Sequence, residues 1–289
     1  MTARKIIVGY DGSADARTAA AWALDEAAHT GALVEFFHAM EWPTHVPAAT
    51  RIPAPAVWPG GEIDRGVHGM LDEAVATARQ THPGVRTETS IEHANAVQTL
   101  VERSAEASLI VLGSRGHSAA GVVLGSVSVA VSAHAHCPVV VTRGTPEPGA
   151  PVLVGYDGSP AAQLALGFGF EQAQARDATL HVVQAVTPPN GLLQVPPAVT
   201  AAAVAADRDE LEDLMAGWLE KYPDVAVFPE VVVDHPAHAL TAAARAAQLV
   251  VVGSRGRGAL RGMVLGSVGQ HLLHRTAVPV AIVRERPGA

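Results

Sequence analysis

The feature that most constrains this chain is an internal duplication. Residues 6–13 and 152–159 are nearly identical, each an apolar run that ends in Gly-Tyr-Asp-Gly-Ser. A second shared stretch, Gly-Ser-Arg-Gly, occurs at residues 113–116 and 253–256. The copies are 146 residues apart for the first stretch and 140 for the second. Because these two spacings differ little over the length of a whole domain, the pattern indicates that one fold is used twice.

Within each half, apolar runs alternate with helical patterns, which predicts five strands and four helices per half. The predicted strands cover residues 4–10, 32–38, 85–92, 108–113, 138–143, 151–156, 178–184, 225–233, 248–253 and 279–284. The predicted helices cover residues 14–30, 66–81, 96–107, 125–135, 160–176, 203–221, 237–247 and 266–275. Ser13 and Ser159 are suited to cap the first helix of each half. Alternation with short connections favours an α/β fold with a parallel sheet and right-handed crossovers.

A Pro/Gly-rich segment at residues 145–149 is the predicted linker between one domain at residues 1–144 and a second at residues 150–289. Two longer Pro-rich segments, residues 43–59 and 188–197, follow the second strand of each half. Segments of this length serve either as surface connections or as lids over a ligand.

Composition excludes several classes of partner. The net charge of −8 argues against nucleic acid and anionic membranes, because both attract basic proteins. The sequence contains no apolar run of about 18 residues that would span a membrane. Cys137 is the single cysteine, so no intrachain disulfide can form. We therefore expect a cytoplasmic protein in a reducing compartment.

The two glycine stretches are the candidate chemical sites. Each lies between an apolar strand and the start of a helix, where backbone N–H groups and the helix dipole favour an anion such as phosphate. Neither stretch contains the Gly-Lys-Ser/Thr of a P-loop, and each follows the fourth strand rather than the first, unlike a dinucleotide fingerprint. The pattern disfavours an efficient NTPase or a hydride-transfer enzyme, and we identify no catalytic residue.

Gly-x2-Gly-x9-Gly-Ser after the fourth strand, together with Gly-Tyr-Asp-Gly-Ser after the first, resembles the ATP-binding class of the universal stress protein family. The resemblance covers the whole chain as two tandem domains. It implies two Rossmann-like domains of the adenine nucleotide α-hydrolase type, each a five-stranded parallel sheet flanked by helices. It also implies that the Asp after the first strand lies by the adenosine, that the residue after the second-strand His packs near the adenine, and that the glycine loop holds ribose and phosphates.

Carried over by position, the resemblance implies a nucleotide site in each half. The first would use Asp11, Ala39, Gly113, Gly116, Gly125, Ser126 and Val127, with Arg115 added as a cation that can pair with phosphate. The second would use Asp157, Val182, Gly253, Gly256, Gly266, Ser267 and Val268, with Arg255 added for the same reason.

The two glycine loops are unequal. Nine residues separate Gly256 from Gly266, as the family pattern requires, whereas eight separate Gly116 from Gly125. The second loop also carries Arg257 and Arg261. We therefore expect the second site to be the better formed.

Structural interpretations stand beside these functional ones. Either Asp can be a turn residue, and either motif arginine can be a solvated loop residue. One carboxylate per crevice is a poor metal site, so no residue is predicted as a direct ligand, and Mg²⁺ would arrive with the ATP phosphates. His38 and His181, matched between the halves, are interpreted as structural or pocket-lining residues rather than acid–base groups.

The leading functional hypothesis is an ATP-binding regulator of a stress or dormancy response, in which the nucleotide shifts a conformational population. A nucleotide-stabilised scaffold for an unknown regulatory partner is the alternative, and slow ATP hydrolysis is a third. The resemblance implies that the last strands, at Val139–Val141 and Val280–Ile282, form a pairing edge. This edge would join the halves within one molecule or support a homodimer.

Overall fold

The computed structural model describes residues 4–40, 62–116, 124–187, 197–258 and 265–284. The Pro-rich segments at residues 43–59 and 188–197 therefore lie, except for residue 197, outside the described residues. The same is true of Arg261 and of most of the two loop segments whose lengths differ. Within the described residues, no helix is both long enough and apolar enough to cross a membrane.

The first half alternates strands and helices as predicted. Its strands are β1 (Lys5–Gly9), β2 (Leu33–Ala39), β3 (Thr87–Glu92), β4 (Leu109–Gly113) and β5 (Val139–Thr142). Its helices are α1 (Ala14–Thr30), α2 (Glu62–Thr81), α3 (Ala96–Arg103) and α4 (Ser126–His134). The hydroxyl of Ser13 accepts the N–H of Ala16 at 3.1 Å, which confirms it as the cap of α1.

The second half repeats this order. Its strands are β6 (Val152–Tyr156), β7 (Leu180–Val186), β8 (Val227–Val233), β9 (Leu249–Gly253) and β10 (Val280–Val283). Its helices are α5 (Pro160–Ala175), α6 (Pro197–Leu219), α7 (Pro236–Ala243) and α8 (Ser267–Arg275), and a short 3-10 turn, Ala244–Ala246, follows α7. Ser159 caps α5 by accepting the N–H of Ala162 at 3.2 Å.

All ten strands form one sheet in the order β3-β2-β1-β4-β5-β10-β9-β6-β7-β8. Pairing is parallel within each half and antiparallel where β5 meets β10, with Ala281 opposite Val140. The α/β class with parallel five-stranded units is confirmed. The last strands join the halves inside one molecule, so each has both edges occupied and a homodimer cannot use those edges. That route to the predicted homodimer is therefore wrong.

The core lies on both faces of the sheet because alternate side chains point to opposite sides. At the seam, Val140 and Ala281 belong to one apolar cluster and Val139 and Ile282 to the other. Helices α1, α2, α5 and α6 cover the first face, and α3, α4, α7 and α8 cover the second. Each cluster contains residues of both halves. The two halves therefore share the core on each face of the sheet, and helices, sheet and helices form three layers.

A buried polar contact also joins the halves where α1 meets α5. The carboxylate of Glu26, a residue only 4% exposed, accepts a hydrogen bond from Gln172 Nε2 at 2.7 Å and one from Arg176 Nη2 at 2.9 Å. The guanidinium of Arg176 lies over the ring of Trp22 at 4.9 Å. Glu26 and Gln172 occupy equivalent positions of the two halves, so an acid of one half meets an amide of the other where α1 contacts α5.

Removing Arg176 tests this contact. We expect Arg176→Met to lower the free energy of unfolding by about 3 kcal/mol, because it leaves the Glu26 charge buried with less compensation. Denaturant unfolding followed by circular dichroism measures the change. Arg79→Met, at an exposed position of α2, is the matched control, with an expected effect within about 0.5 kcal/mol. Equal effects of the two variants would contradict the role assigned to the contact.

Candidate functional site

A cleft of about 590 Å³ opens at the carboxyl ends of the strands in the second half. Ligands of open α/β sheets bind at this edge. The cleft brings together seven of the second-site residues carried over from the sequence, including the added arginine: Asp157, Gly253, Arg255, Gly256, Gly266, Ser267 and Val268. Tyr156, residues 183–187, Asp207, His235, Pro236, Leu240, Arg257 and Gly258 also contribute to its lining.

One wall is the turn after β6, which Asp157 organises. Its Oδ1 accepts the N–H of Ser159 at 3.0 Å, and its Oδ2 accepts the N–H of Arg257 at 2.9 Å. Between them, Gly158 adopts a φ of +75°, which favours glycine. Both carboxylate oxygens are therefore engaged with backbone, so Asp157 ties the first turn to the glycine loop.

The glycine loop forms the adjoining wall, and two of its glycines are required because the backbone passes close to neighbouring atoms. A Cβ at Gly253 would lie 2.8 Å from the carbonyl carbon of Ala161, and a Cβ at Gly256 would collide with the Asp157 carboxylate. The loop then closes on α8, where the N–H of Gly266 donates to the carbonyl of Ser254 at 2.8 Å. The backbone of the loop is thus held against the first turn of α5.

Within the described residues, the first turn of α8 faces the cleft without a side-chain cap on its backbone N–H groups. Gly266 is the N-cap, with φ −68° and ψ 155°, and it makes no side-chain capping bond. Ser267 and Val268 follow it and line the cleft. Helix N-terminal N–H groups without a side-chain cap, together with the helix dipole, favour an anion at this position.

Arginines supply positive charge around this helix end. Arg255 and Arg257 line the cleft, and a Cβ at Gly158 would collide with the Arg257 guanidinium, so that side chain lies against the turn. Burial, followed by the charge of Arg255, lowers the pKa of Arg284. Burial raises the pKa of Tyr156 and the charge of Arg257 opposes that rise. Positive charge and N–H donors thus converge on one side of the cleft.

The first half repeats this framework. Asp11 Oδ1 accepts the N–H of Ser13 at 2.9 Å, and the N–H of Gly125 donates to the carbonyl of Ser114 at 2.8 Å. A Cβ at Gly116 would lie 2.7 Å from Asp11 Oδ2. Helix α4 begins at Ser126 and Val127 after an N-cap glycine without a side-chain capping bond, as α8 does.

The residue predicted to lie near the adenine requires a correction in the second half. Val8 pairs with Phe36 in the first half and Val154 pairs with Val182 in the second, which makes Ala185, not Val182, the equivalent of Ala39. Val182 is fully buried in the core, whereas Ala185 lines the cleft. Matching His38 with His181 slipped the alignment by three residues, whereas the spacing of 146 residues already set by Asp11 and Asp157 identifies Ala185.

The two histidines have different surroundings, as this slip implies. The Nδ1 of His38 lies 2.7 Å from the carbonyl oxygen of Tyr10, at the turn after β1. His181 Nε2 lies 2.8 Å from Glu230 Oε2, and its ring is tilted against Phe228 on β8. His38 therefore contacts the turn that leads to Asp11, whereas His181 contacts strand β8.

Metal ligands do not cluster in the part of the chain that the structure describes, where no group of three or more His, Cys, Asp or Glu side chains could hold an ion. The cleft offers hydrogen-bond donors, positive charge and an apolar wall around Val183 and Leu240. That combination suits a ligand with an anionic end and a flat apolar end.

Curated relatives match this chain over nearly its whole length. Universal stress protein Rv2005c of Mycobacterium tuberculosis is 37% identical over 294 residues, which cover 97% of each chain. Universal stress protein Rv2623 of the same organism is 38% identical over 291 residues, covering 97% of this chain and 96% of the relative. Both relatives match nearly from end to end.

Among solved structures, a universal stress protein from Archaeoglobus fulgidus superposes with a TM-score of 0.67 at 20% identity, covering 99% of this chain and 97% of that one. This likeness supports the fold. The model of the universal stress protein family matches the chain twice, at residues 2–143 and 150–284. Together with the relatives, this double match shows that the chain belongs to the universal stress protein family.

Proposed function

We propose that the chain binds ATP in the cleft of its second half and acts as a nucleotide-dependent regulator of a stress or dormancy response. The nucleotide serves as a ligand that favours one conformation over another. Family membership supports the regulatory part, and the cleft supports the binding part. We also propose a cytoplasmic setting, in keeping with the single cysteine of the chain.

The observation that carries this proposal is the first turn of α8 beside Arg255. Its N-cap glycine makes no side-chain capping bond, and a guanidinium lies at the same wall of the cleft. These groups match the chemistry of a phosphate chain. The volume of about 590 Å³ falls in the range of about 300–1,000 Å³ that small-molecule sites occupy. The residues present therefore fit ATP.

The remaining contacts follow from position. Gly256, Gly266 and Ser267 would hold the phosphates, and Ala185 with Val183 would face the base. The first half would use Asp11, Ala39, Gly113, Gly116 and Gly125 in the same way, with weaker binding. Mg²⁺ would enter with the phosphates, because it borrows oxygens from its substrate.

Two other functions belong to different classes. A scaffold would use nucleotide as a structural filler while binding a regulatory partner, and a slow ATPase would turn ATP over. The shared core and the occupied β5 and β10 edges favour a monomeric tandem unit. A homodimer would have to form through another surface.

Substituting the N-cap glycines tests the site with little risk to the fold. Among the described residues, and apart from the chain neighbours, the nearest atom to a Cβ at Gly266 would lie 3.4 Å away, and the same is true at Gly125. Aspartate is also a favoured N-cap residue. We expect Gly266→Asp to weaken ATP binding at least about tenfold, because its carboxylate competes for the N–H groups and repels phosphate. Isothermal titration with MgATP measures this.

Gly125→Asp is the matched control and should change the dominant ATP affinity by less than about twofold. A larger loss from Gly125→Asp than from Gly266→Asp would reverse the assignment of the stronger site. No ATP binding by the unsubstituted protein would refute the proposed function. Gly253→Asp is less informative, because its Cβ would meet the backbone of Ala161 and perturb folding as well as binding.

Purified protein separates the three functions directly. We expect ATP to be released on gentle denaturation and identified by mass spectrometry, and incubation for hours to yield no more than about one ADP per chain, because the site offers binding groups without an assigned general base. Protein that lacks nucleotide and does not bind added ATP would favour the scaffold. Steady multiple turnover would favour the ATPase.

A further inference from the structure

The two halves differ in charge at one position beneath their glycine loops. Asp15 is the second residue of α1, and Ala161 is the second residue of α5. A Cβ at Gly113 would lie 2.7 Å from the carbonyl carbon of Asp15, and one at Gly253 would lie 2.8 Å from that of Ala161. The same point of the helix therefore supports both loops, and only the first half places a carboxylate there.

This carboxylate binds two side chains of the glycine loop in the first half. Asp15 Oδ2 accepts the hydroxyl of Ser114 at 2.6 Å and the Nε of Arg115 at 3.1 Å. Arg115 Nη2 lies 3.4 Å from Asp15 Oδ1. Burial raises the pKa of Asp15, but hydrogen bonds from Arg115 and Ser114 outweigh burial and leave the pKa below its usual value. The carboxylate is thus charged at neutral pH and already pairs with the cation intended for phosphate.

The neighbouring arginines show the same asymmetry. Burial and the charge of Arg115 lower the pKa of Arg143, while the charge of Asp15 offsets part of that effect. In the second half, burial and the charge of Arg255 both lower the pKa of Arg284. The guanidinium groups of Arg255 and Arg284 in the second half therefore repel each other. An anionic ligand bound between or beside them would reduce this repulsion.

Among the residues that the structure describes, the two acidic groups of the second cleft, Asp157 and Asp207, form no ion pair with Arg255 of the kind that Asp15 forms with Arg115. Asp157 lines the cleft, but its two oxygens accept backbone N–H groups of Ser159 and Arg257. Asp207 approaches the cleft from α6. The residues that follow the first loop glycine, Ser and Arg, are the same in both halves. Position 15 against 161 is therefore a charge difference beneath two identical Gly-Ser-Arg-Gly stretches, and it adds to the charge that Arg257 brings to the second loop in place of His117.

We propose that Asp15 is a specificity-determining residue that selects against a polyphosphate chain in the first half. It rests on the proposed function and extends it. Asp15 acts as a tethered anion that neutralises Arg115 and repels phosphate, while leaving the base-binding side of that half intact. The second half, with Ala161, accepts the triphosphate. The difference between the halves thus resides partly in one side chain.

The test measures ATP and adenosine separately, because only ATP carries the phosphates. ATP binding by the first half is followed in the Gly266→Asp background, which weakens ATP binding by the second half, and Asp15→Ala and Asp15→Asn are added to that background. ATP binding by the second half is followed in the Gly125→Asp background, with Ala161→Asp added. We expect Asp15→Ala and Asp15→Asn to raise ATP affinity in the first half, and Ala161→Asp to lower it in the second, each about tenfold or more. Adenosine binding, which both halves retain in these backgrounds, should change by less than about twofold when position 15 or 161 is substituted.

Three features keep the outcomes distinct. Circular dichroism and adenosine titration report folding, and Asp15→Asn removes the charge while keeping the shape. Unchanged ATP affinity on removing Asp15, or on introducing Ala161→Asp, overturns the inference even when the second half binds ATP normally. A parallel change in adenosine and ATP affinity also overturns it, since a phosphate-specific effect was required. The proposed function fails on a different result, namely that the unsubstituted protein does not bind ATP.

Discussion

The antiparallel pairing of β5 with β10 is the interaction on which the rest of the structure depends. It converts two parallel five-stranded units into one sheet whose faces are covered continuously by helices. It also brings the arginine after each last strand to the other half. Arg143 donates to the carbonyl of His274 at 3.1 Å, and Arg284 donates to that of Ser132 at 3.4 Å. These carbonyls belong to α8 and α4, whose first turns are the candidate phosphate sites. The seam that builds the core therefore also contacts both binding helices.

The contact between Glu26 and Gln172 favours pairing of one half with the other over pairing of two first halves. Equivalent residues meet near the pseudo-twofold axis, and Arg176 completes the contact. Two first halves paired in the same way would bring two Glu26 carboxylates together, and the Arg176 position would be held by Thr30. Buried like charges are costly without a cation to compensate them. A tandem chain with an acid in one copy and an amide in the other avoids that arrangement.

Sequence reasoning predicted the elements well where periodicity and duplication acted together. The strands around residues 6–9 and 152–156, the caps at Ser13 and Ser159, and the glycine loops all followed from such patterns. It failed at the second strand, because a shared histidine suggested an alignment that only strand register corrects. Asp15 was not singled out, because an acidic residue in a first helical turn is ordinary. Its importance comes from its contact with residues about 100 positions away in sequence, which no local pattern reveals.

The duplication separates what the backbone supplies from what side chains supply. Both halves make the same cap, the same closure of the glycine loop on its helix, and the same turn after the first strand. These hydrogen bonds give both halves the same backbone framework at the candidate site, whatever side chains surround it. Differences in ligand preference must then come from charge and from loop length. Position 15 illustrates the first cause, since Gly113 and Gly253 approach the same helical turn equally closely, and the carboxylate is what distinguishes them. The same backbone framework therefore carries a carboxylate at position 15 in the first half and a methyl group at the equivalent position 161 in the second.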